Sequence, residues 1–329
     1  GGDQHDFLTK SAQPVGHLVV GRGEPRTSVD GQEHQVHAHQ RGLHPSGVCG
    51  VFGAAAAASR ARGLGVRETA HALGIAGSMA SGLLEFLADG SDTKRLHAGW
   101  AAQAGVTAAK LAAHGASGPA TVFEGVRGFY ATYLHGVDVD LGTQLDDLGR
   151  RWNTPAIAYK PYPACHYTHA PVDALAQLVA EHGLRAQDVS DMVAYTDQTG
   201  VGLVLEPSAD KVRPRTPYDA QFSLPFCLSS LLVHGDLTVR SFTPDAIGDQ
   251  QVLAMTPHVS YELREYSPRP DSFGGGVRVT THDGRTLEAE LRYQRGAAEN
   301  PMTEDDVRTK YRTNAGMQLG TQRASDLED

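Results

Sequence analysis

The chain has 329 residues, 40% of them hydrophobic and 20% charged, with a formal net charge of −9. That composition excludes a disordered polymer and leaves room for one large domain or two ordinary ones. The negative balance argues against a nucleic-acid backbone as partner. Three scattered cysteines, Cys49, Cys165 and Cys227, argue against a disulfide framework and fit a reducing cytoplasm. The longest apolar run, Val48 to Ala58, is too short to span a bilayer, and no basic-then-apolar leader is visible at the start.

Residues 1–41 hold five of the sixteen histidines, His5, His17, His34, His37 and His39, and show no sustained periodicity. From Gly42 the composition changes abruptly. Leu43-His44-Pro45-Ser46-Gly47 leads into an alanine-rich run, so a helix is expected over Val51–Gly63, ended by glycines. A second is expected over Arg67–Leu87, despite Gly74, Gly77 and Gly82 within it, and a third over Leu96–His114. Small residues on these helices allow close packing. Thr143–Arg151 reads as a short helix or turn. Ile157–Lys160 must be extended, because Pro161 and Pro163 disfavour the helical region before them. A helix follows over Pro171–His182, then a strand over Val189–Thr196, a buried helix over Leu224–Gly235 and a hairpin over Val277–Leu291 around Asp283-Gly284. Thr303 and Asp306 approximate a capping box at the head of a last helix ending near Leu319.

His44 stands at the head of the alanine-rich helix. Histidine titrates near neutrality and can take and give a proton. Lys94 and His97 are three apart, which on a helix places them on one face. Lys160 precedes a proline pair. Taken alone, these are a turn histidine and two surface lysines. Cys165 and His169 are four apart, but two ligands without a second pair do not make a closed metal site. A phosphate loop and a nucleophile elbow are absent.

Five segments in order change this reading. They are Ala72-Leu73-Gly74-Ile75-Ala76-Gly77-Ser78 with Gly82, Asp92-Thr93-Lys94-Arg95-Leu96-His97-Ala98-Gly99, Lys160-Pro161-Tyr162-Pro163-Ala164-Cys165 with His169, Asp219-Ala220-Gln221-Phe222-Ser223-Leu224-Pro225, and Asn300-Pro301-Met302-Thr303. Together with the His44 segment they resemble the MmgE/PrpD family of 2-methylcitrate dehydratases, cis-aconitate decarboxylases and iminodisuccinate epimerases, from about Gly42 to Leu319.

The resemblance implies a mainly α fold with an α+β part: an all-helical domain over 42–155, an inserted α+β lid over 156–295, and a return to the helical domain over 296–329. Residues 1–41 form an atypical segment in which the family's N-terminal helices are not recognisable, as expected of a gene start that is truncated or read out of frame. The implied function is a cytoplasmic, homodimeric, cofactor-independent and metal-free lyase of the 2-methylcitrate dehydratase type, a hydro-lyase acting on a small di- or tricarboxylate. It would engage neither nucleic acid nor membrane. Decarboxylation or epimerisation on the same scaffold, and an inactive remnant, are the alternatives. The implied catalytic residues are His44, Lys94 and Lys160; His97, His169, Gln221 and Ser223 would contact substrate. Phe226 stands where the family often has tyrosine, which removes a proton donor.

Overall fold

The computed structural model describes residues 41–134, 146–150, 152, 154–266 and 272–328. Three helices dominate the first part: α1 (Gly50–Ala61), α2 (Val66–Gly77) and α3 (Lys94–Ala113). Alanines carry both the helix propensity and the packing. The buried face of α3 is Ala101, Ala104, Gly105, Ala108, Ala109 and Ala112. A Cβ at Gly105 would lie 2.5 Å from that of Ala54 and 2.6 Å from the Ala55 nitrogen, so α1 and α3 touch nearly backbone to backbone. Phe52 closes this core against Phe123 and Phe129, with ring centroids 4.7 and 5.0 Å away.

The second part is built around a four-stranded sheet of order β2-β1-β3-β4: β1 (Val189–Thr196), β2 (Val259–Leu263), β3 (Gly275–Thr281) and β4 (Thr286–Leu291). β1 runs parallel to β2 and antiparallel to β3; β3 and β4 form the hairpin expected at Asp283-Gly284. Parallel pairing needs a long crossover. Here that crossover carries the buried helix α5 (Leu224–His234), which packs on α4 (His169–His182) as α4 packs on β3 and β4. A second, larger core forms between sheet and helices around Met192, Leu175, Phe226 and Val277. The fold is thus mainly α with an α+β part. Helix α6 (Glu304–Leu319) begins with the capping box of Thr303 and Asp306. Among the described residues, no helix is long and apolar enough to cross a membrane.

Three sequence expectations are corrected or extended. The helix expected over Arg67–Leu87 stops at Gly77; the chain then straightens, and Leu83 bridges antiparallel to Leu43 before a short turn at Phe86–Asp89. The pull is tertiary: Gly82, at φ +139, presents its carbonyl to the His44 amide at 2.9 Å. Strand β2 was not foreseen. It is an exposed edge strand without alternation, and its pairing with β1 is non-local. Of Thr143–Arg151, residues 146–150 form turns, and the rest lies outside the described residues, as do residues 1–40.

Candidate active site

The two cores meet at Phe86, which belongs to the larger core yet contacts His97 of α3 at 6.2 Å between ring centroids. Around this seam the sequence-predicted residues gather.

His44 is held by main chain on both sides. Its N–H reaches Gly82, its carbonyl accepts from Gly47 and Val48, and Leu84 N–H returns to Gly42 at 2.7 Å. Pro45 then opens a single helical turn over Pro45–Val48, its ring preset for that position. His44 as a whole residue is 9% exposed. Its Nδ1 lies 2.9 Å from Nδ1 of His97.

Lys94 and His97 occupy the first turn of α3, a twenty-residue helix with no acidic residue in that turn. The positive end of the helix dipole therefore adds to two potential cations instead of being offset by a carboxylate. The Lys94 ammonium sits 4.7 Å from the Phe222 ring centroid and 5.8 Å from that of Phe86. Burial, and secondarily the charge of Lys160, hold its pKa below the usual lysine value. Burial and then Lys94 depress His97 in turn.

Lys160 comes from the extended segment before α4. Tyr159 N–H binds the Gly296 carbonyl at 2.8 Å, and the Lys160 ammonium donates to the Ala164 carbonyl at 2.9 Å. Two residues that sequence reasoning missed stand beside it. The ammonium of Lys310, from α6, donates to the Lys160 carbonyl, and its pKa is lowered by burial and by Lys160. His166 stacks on Phe273 at 4.8 Å, and burial with Lys160 pulls it down to about 4. A basic residue straight after Pro163-Ala164-Cys165 was a usable signal for His166. Lys310 looks like any lysine on a polar helix.

His44, His97, Lys94, Lys160 and Lys310 thus form a chain of neighbours, drawn from the head of α1, from α3, from the segment before α4 and from α6. Among the described residues, none of the three lysines is paired with a carboxylate. The other predicted residues stand differently. His169 is fully buried, its Nε2 3.3 Å from the Ala164 carbonyl and its ring against Tyr162 and His166. Ser223 caps α5: it donates to the Lys211 carbonyl and accepts from Phe226 N–H at 3.0 Å, which engages its hydroxyl. Gln221 holds the site loop by its main chain, accepting from Cys165 N–H at 2.8 Å. Phe226 is fully buried, 6.0 Å from Phe242, and supplies no hydroxyl.

A groove of about 820 Å³ opens beside the cluster, between Leu83, Phe86, Leu96, His97 and Trp100. It meets the cations at His97; neither Lys94 nor Lys160 lines it. The groove therefore borders the cluster at one end and does not enclose the ammonium groups of Lys94 and Lys160.

Residues 31–142 match the MmgE/PrpD N-terminal domain and residues 162–329 the MmgE/PrpD C-terminal domain. Among curated relatives, the human cis-aconitate decarboxylase is 30% identical over 285 residues, covering 84% of this chain and 57% of that protein. The mouse cis-aconitate decarboxylase is 28% identical over 278 residues, 84% of this chain and 56% of its own length. A cis-aconitate decarboxylase-like protein of Aspergillus oryzae is 27% identical over 305 residues, 88% and 61% respectively. The chain spans somewhat more than half the length of these relatives. With both family domains matched in order along most of its length, the chain belongs to the MmgE/PrpD family.

Proposed function

We propose that the chain is a lyase that decarboxylates a small tricarboxylate of the cis-aconitate kind. The observation that carries this reading is the convergence of Lys94, Lys160 and Lys310, three ammonium groups without carboxylate partners among the described residues, next to an imidazole pair. Cations so placed match a multiply negative substrate. They position it and stabilise charge that builds up as a bond breaks. When carbon–carboxylate cleavage releases CO2, the electron pair passes into the remaining conjugated carboxylate system. Lysine charge holds it there, and His44 returns a proton to carbon. The curated relatives named above carry the same activity in their names, which supports this choice.

Dehydration of a 2-methylcitrate-like substrate is the second reading. The imidazole pair favours it, because elimination of water needs a base at carbon and an acid at the leaving hydroxyl. Against it, Phe226 offers no hydroxyl and that of Ser223 is engaged in the helix cap.

Incubation with cis-aconitate, 2-methylcitrate and iminodisuccinate, followed by proton NMR and CO2 evolution, separates the readings. Lys160→Ala and His44→Ala are each expected to abolish turnover while the circular dichroism and thermal midpoint stay near wild type. Full activity in either variant removes that residue from the mechanism. Tricarboxylate binding without turnover of any of the three would mark an inactive remnant.

A further inference from the structure

We propose that Phe222 is a positioning residue for Lys94: its ring face, with that of Phe86, stands in for a carboxylate counter-ion and holds the ammonium in place while its hydrogens stay free for a substrate carboxylate. The proposal rests on the catalytic reading above and specifies how one of its three cations is kept. The observation behind it is a contrast among lysines. Lys160, Lys211 and Lys310 each donate to a main-chain carbonyl, those of Ala164, Leu203 and Lys160 in turn. Lys94 has no hydrogen-bond acceptor among the described residues. Its ammonium lies instead 4.7 Å from the Phe222 ring centroid and 5.8 Å from that of Phe86.

Lys94 needs a partner of this kind. It is partly buried, it stands at the positive end of α3, and the charge of Lys160 opposes its own. A carboxylate would offset all three effects, but it would also accept the hydrogens that a substrate must find. The negative face of an aromatic ring attracts a cation within about 6 Å of its centroid and takes no such hydrogen bond in the ring plane. An aliphatic wall would desolvate the ammonium and return nothing.

The rings are themselves locked. Phe86, Tyr218 and Phe222 are all buried, with centroids 6.0 Å apart for Phe86 and Tyr218, 5.9 Å for Phe86 and Phe222, and 5.5 Å for Tyr218 and Phe222. Phe86 comes from the turn before α3, and the other two from the segment before α5. Main-chain acceptors tie those segments together: the Thr216 hydroxyl donates to the Gly90 carbonyl at 2.9 Å, and the Arg215 guanidinium to that of Ala88 at 3.1 Å. Gly90, at φ +70, ends the Phe86 turn where a Cβ would run into the Asp219 carboxyl. Lys94 thus rests on a platform that spans the seam between the two cores. The titratable groups around it are Cys165 and Lys160 from the segment before α4, and His97 on α3. A change confined to the Phe222 ring alters none of them, so it reports the ring alone.

The test replaces Phe222 in the full chain by phenylalanines carrying one, two or three ring fluorines. Fluorine drains the negative face and leaves the shape of the ring nearly unchanged. The chain has six lysines, so carbon-13 labelling at lysine Cε resolves them, and Lys94→Met identifies the signal of Lys94. A weaker ring face favours the charged amine less. The pH at which Lys94 loses its proton should therefore fall stepwise along the series, by up to about one unit, a tenfold change in the proton equilibrium. Titration calorimetry with propane-1,2,3-tricarboxylate supplies the second readout. The alkaline limb on which binding is lost should move down by the same steps, while affinity on the acidic side of that limb stays within about twofold. A Lys94 titration that does not move, or moves upward, overturns the proposal, as does a series that lowers the thermal midpoint and nothing else, because the rings would then be only an apolar wall. If the tricarboxylate does not bind to the unaltered chain, the proposed function falls, while the Lys94 titration still decides what Phe222 does.

Discussion

His166 and His169 show how strongly this site resists a proton at positions that do not need one. His169 is wholly enclosed. Its Nε2 faces the Ala164 carbonyl, so that nitrogen carries the hydrogen and Nδ1 is bare, with no partner among the described residues. Burial holds His169 well below the ordinary histidine value, with further contributions from His166 and the lysines; His166 falls to about 4 by burial and by Lys160. Both are neutral when folded, yet an unfolded imidazole titrates near 6.5. Between those values the unfolded chain binds more protons, so stability must fall as pH drops below about 6.5. From pH 7 to pH 5 His166 should cost about 2 kcal/mol, read from urea midpoints, and His169 should add to the loss in the same direction. His166→Asn should flatten the slope by its share. An unchanged slope would mean that His166 is already solvated in the folded chain.

At the scale of elements, close approach decides what each glycine is worth. Gly47 sits against the main chain of Ser81 and Gly82, whereas nothing lies within 4 Å of a Cβ at Gly53. Gly53→Ala on the exposed side of α1 should stabilise the protein by about 0.5–1 kcal/mol, through helix propensity alone. Gly47→Ala should destabilise it by about 1–3 kcal/mol through overpacking, and should abolish turnover by displacing His44. Paired urea titrations and activity assays on the two variants check both signs. The same contrast explains what could be read from sequence. Alanine content announced α1, the Thr303 cap announced α6, and Asp283-Gly284 announced the β3–β4 hairpin, because each signal is local. The end of α2 was not readable. Its residues continue a helical pattern, and only the distant His44 amide gives Gly82 a reason to leave it. Strand β2 is likewise defined by a partner some seventy residues away, as Met192 pairs with Val259. Within the site, His44, Lys94, His97 and Lys160 stood out by motif, whereas Lys310 did not, since a lysine on a solvated helix acquires meaning only from what it folds against.

Across the whole molecule, α6 ties the last part of the chain to the site. Tyr162 donates to Asp173 at 2.6 Å, and Arg295 N–H donates to the other oxygen of the same carboxylate at 3.2 Å. The Arg295 guanidinium also reaches Asp306 at 3.4 Å, and Asp306 closes the cap of α6. The segment carrying Lys160 is thereby locked to the helix carrying Lys310. Two kinds of substitution should separate anchoring from charge. Tyr162→Phe leaves the buried Asp173 carboxylate one donor short and should cost about 1–3 kcal/mol of stability. Lys310→Met keeps the aliphatic stem and removes the charge. Lys310 is only partly buried and has no carboxylate partner among the described residues, so stability should change by no more than about 0.5 kcal/mol. Affinity for a tricarboxylate, measured by titration calorimetry, should nevertheless fall about tenfold, which is about 1.4 kcal/mol. The loss should be smaller for a dicarboxylate, which has one fewer negative group to place among three ammonium groups. Equal losses for both ligands would mean that Lys310 acts only by holding the Lys160 carbonyl. Wild-type binding of both would confine α6 to a structural role and leave Lys94 and Lys160 as the anion site.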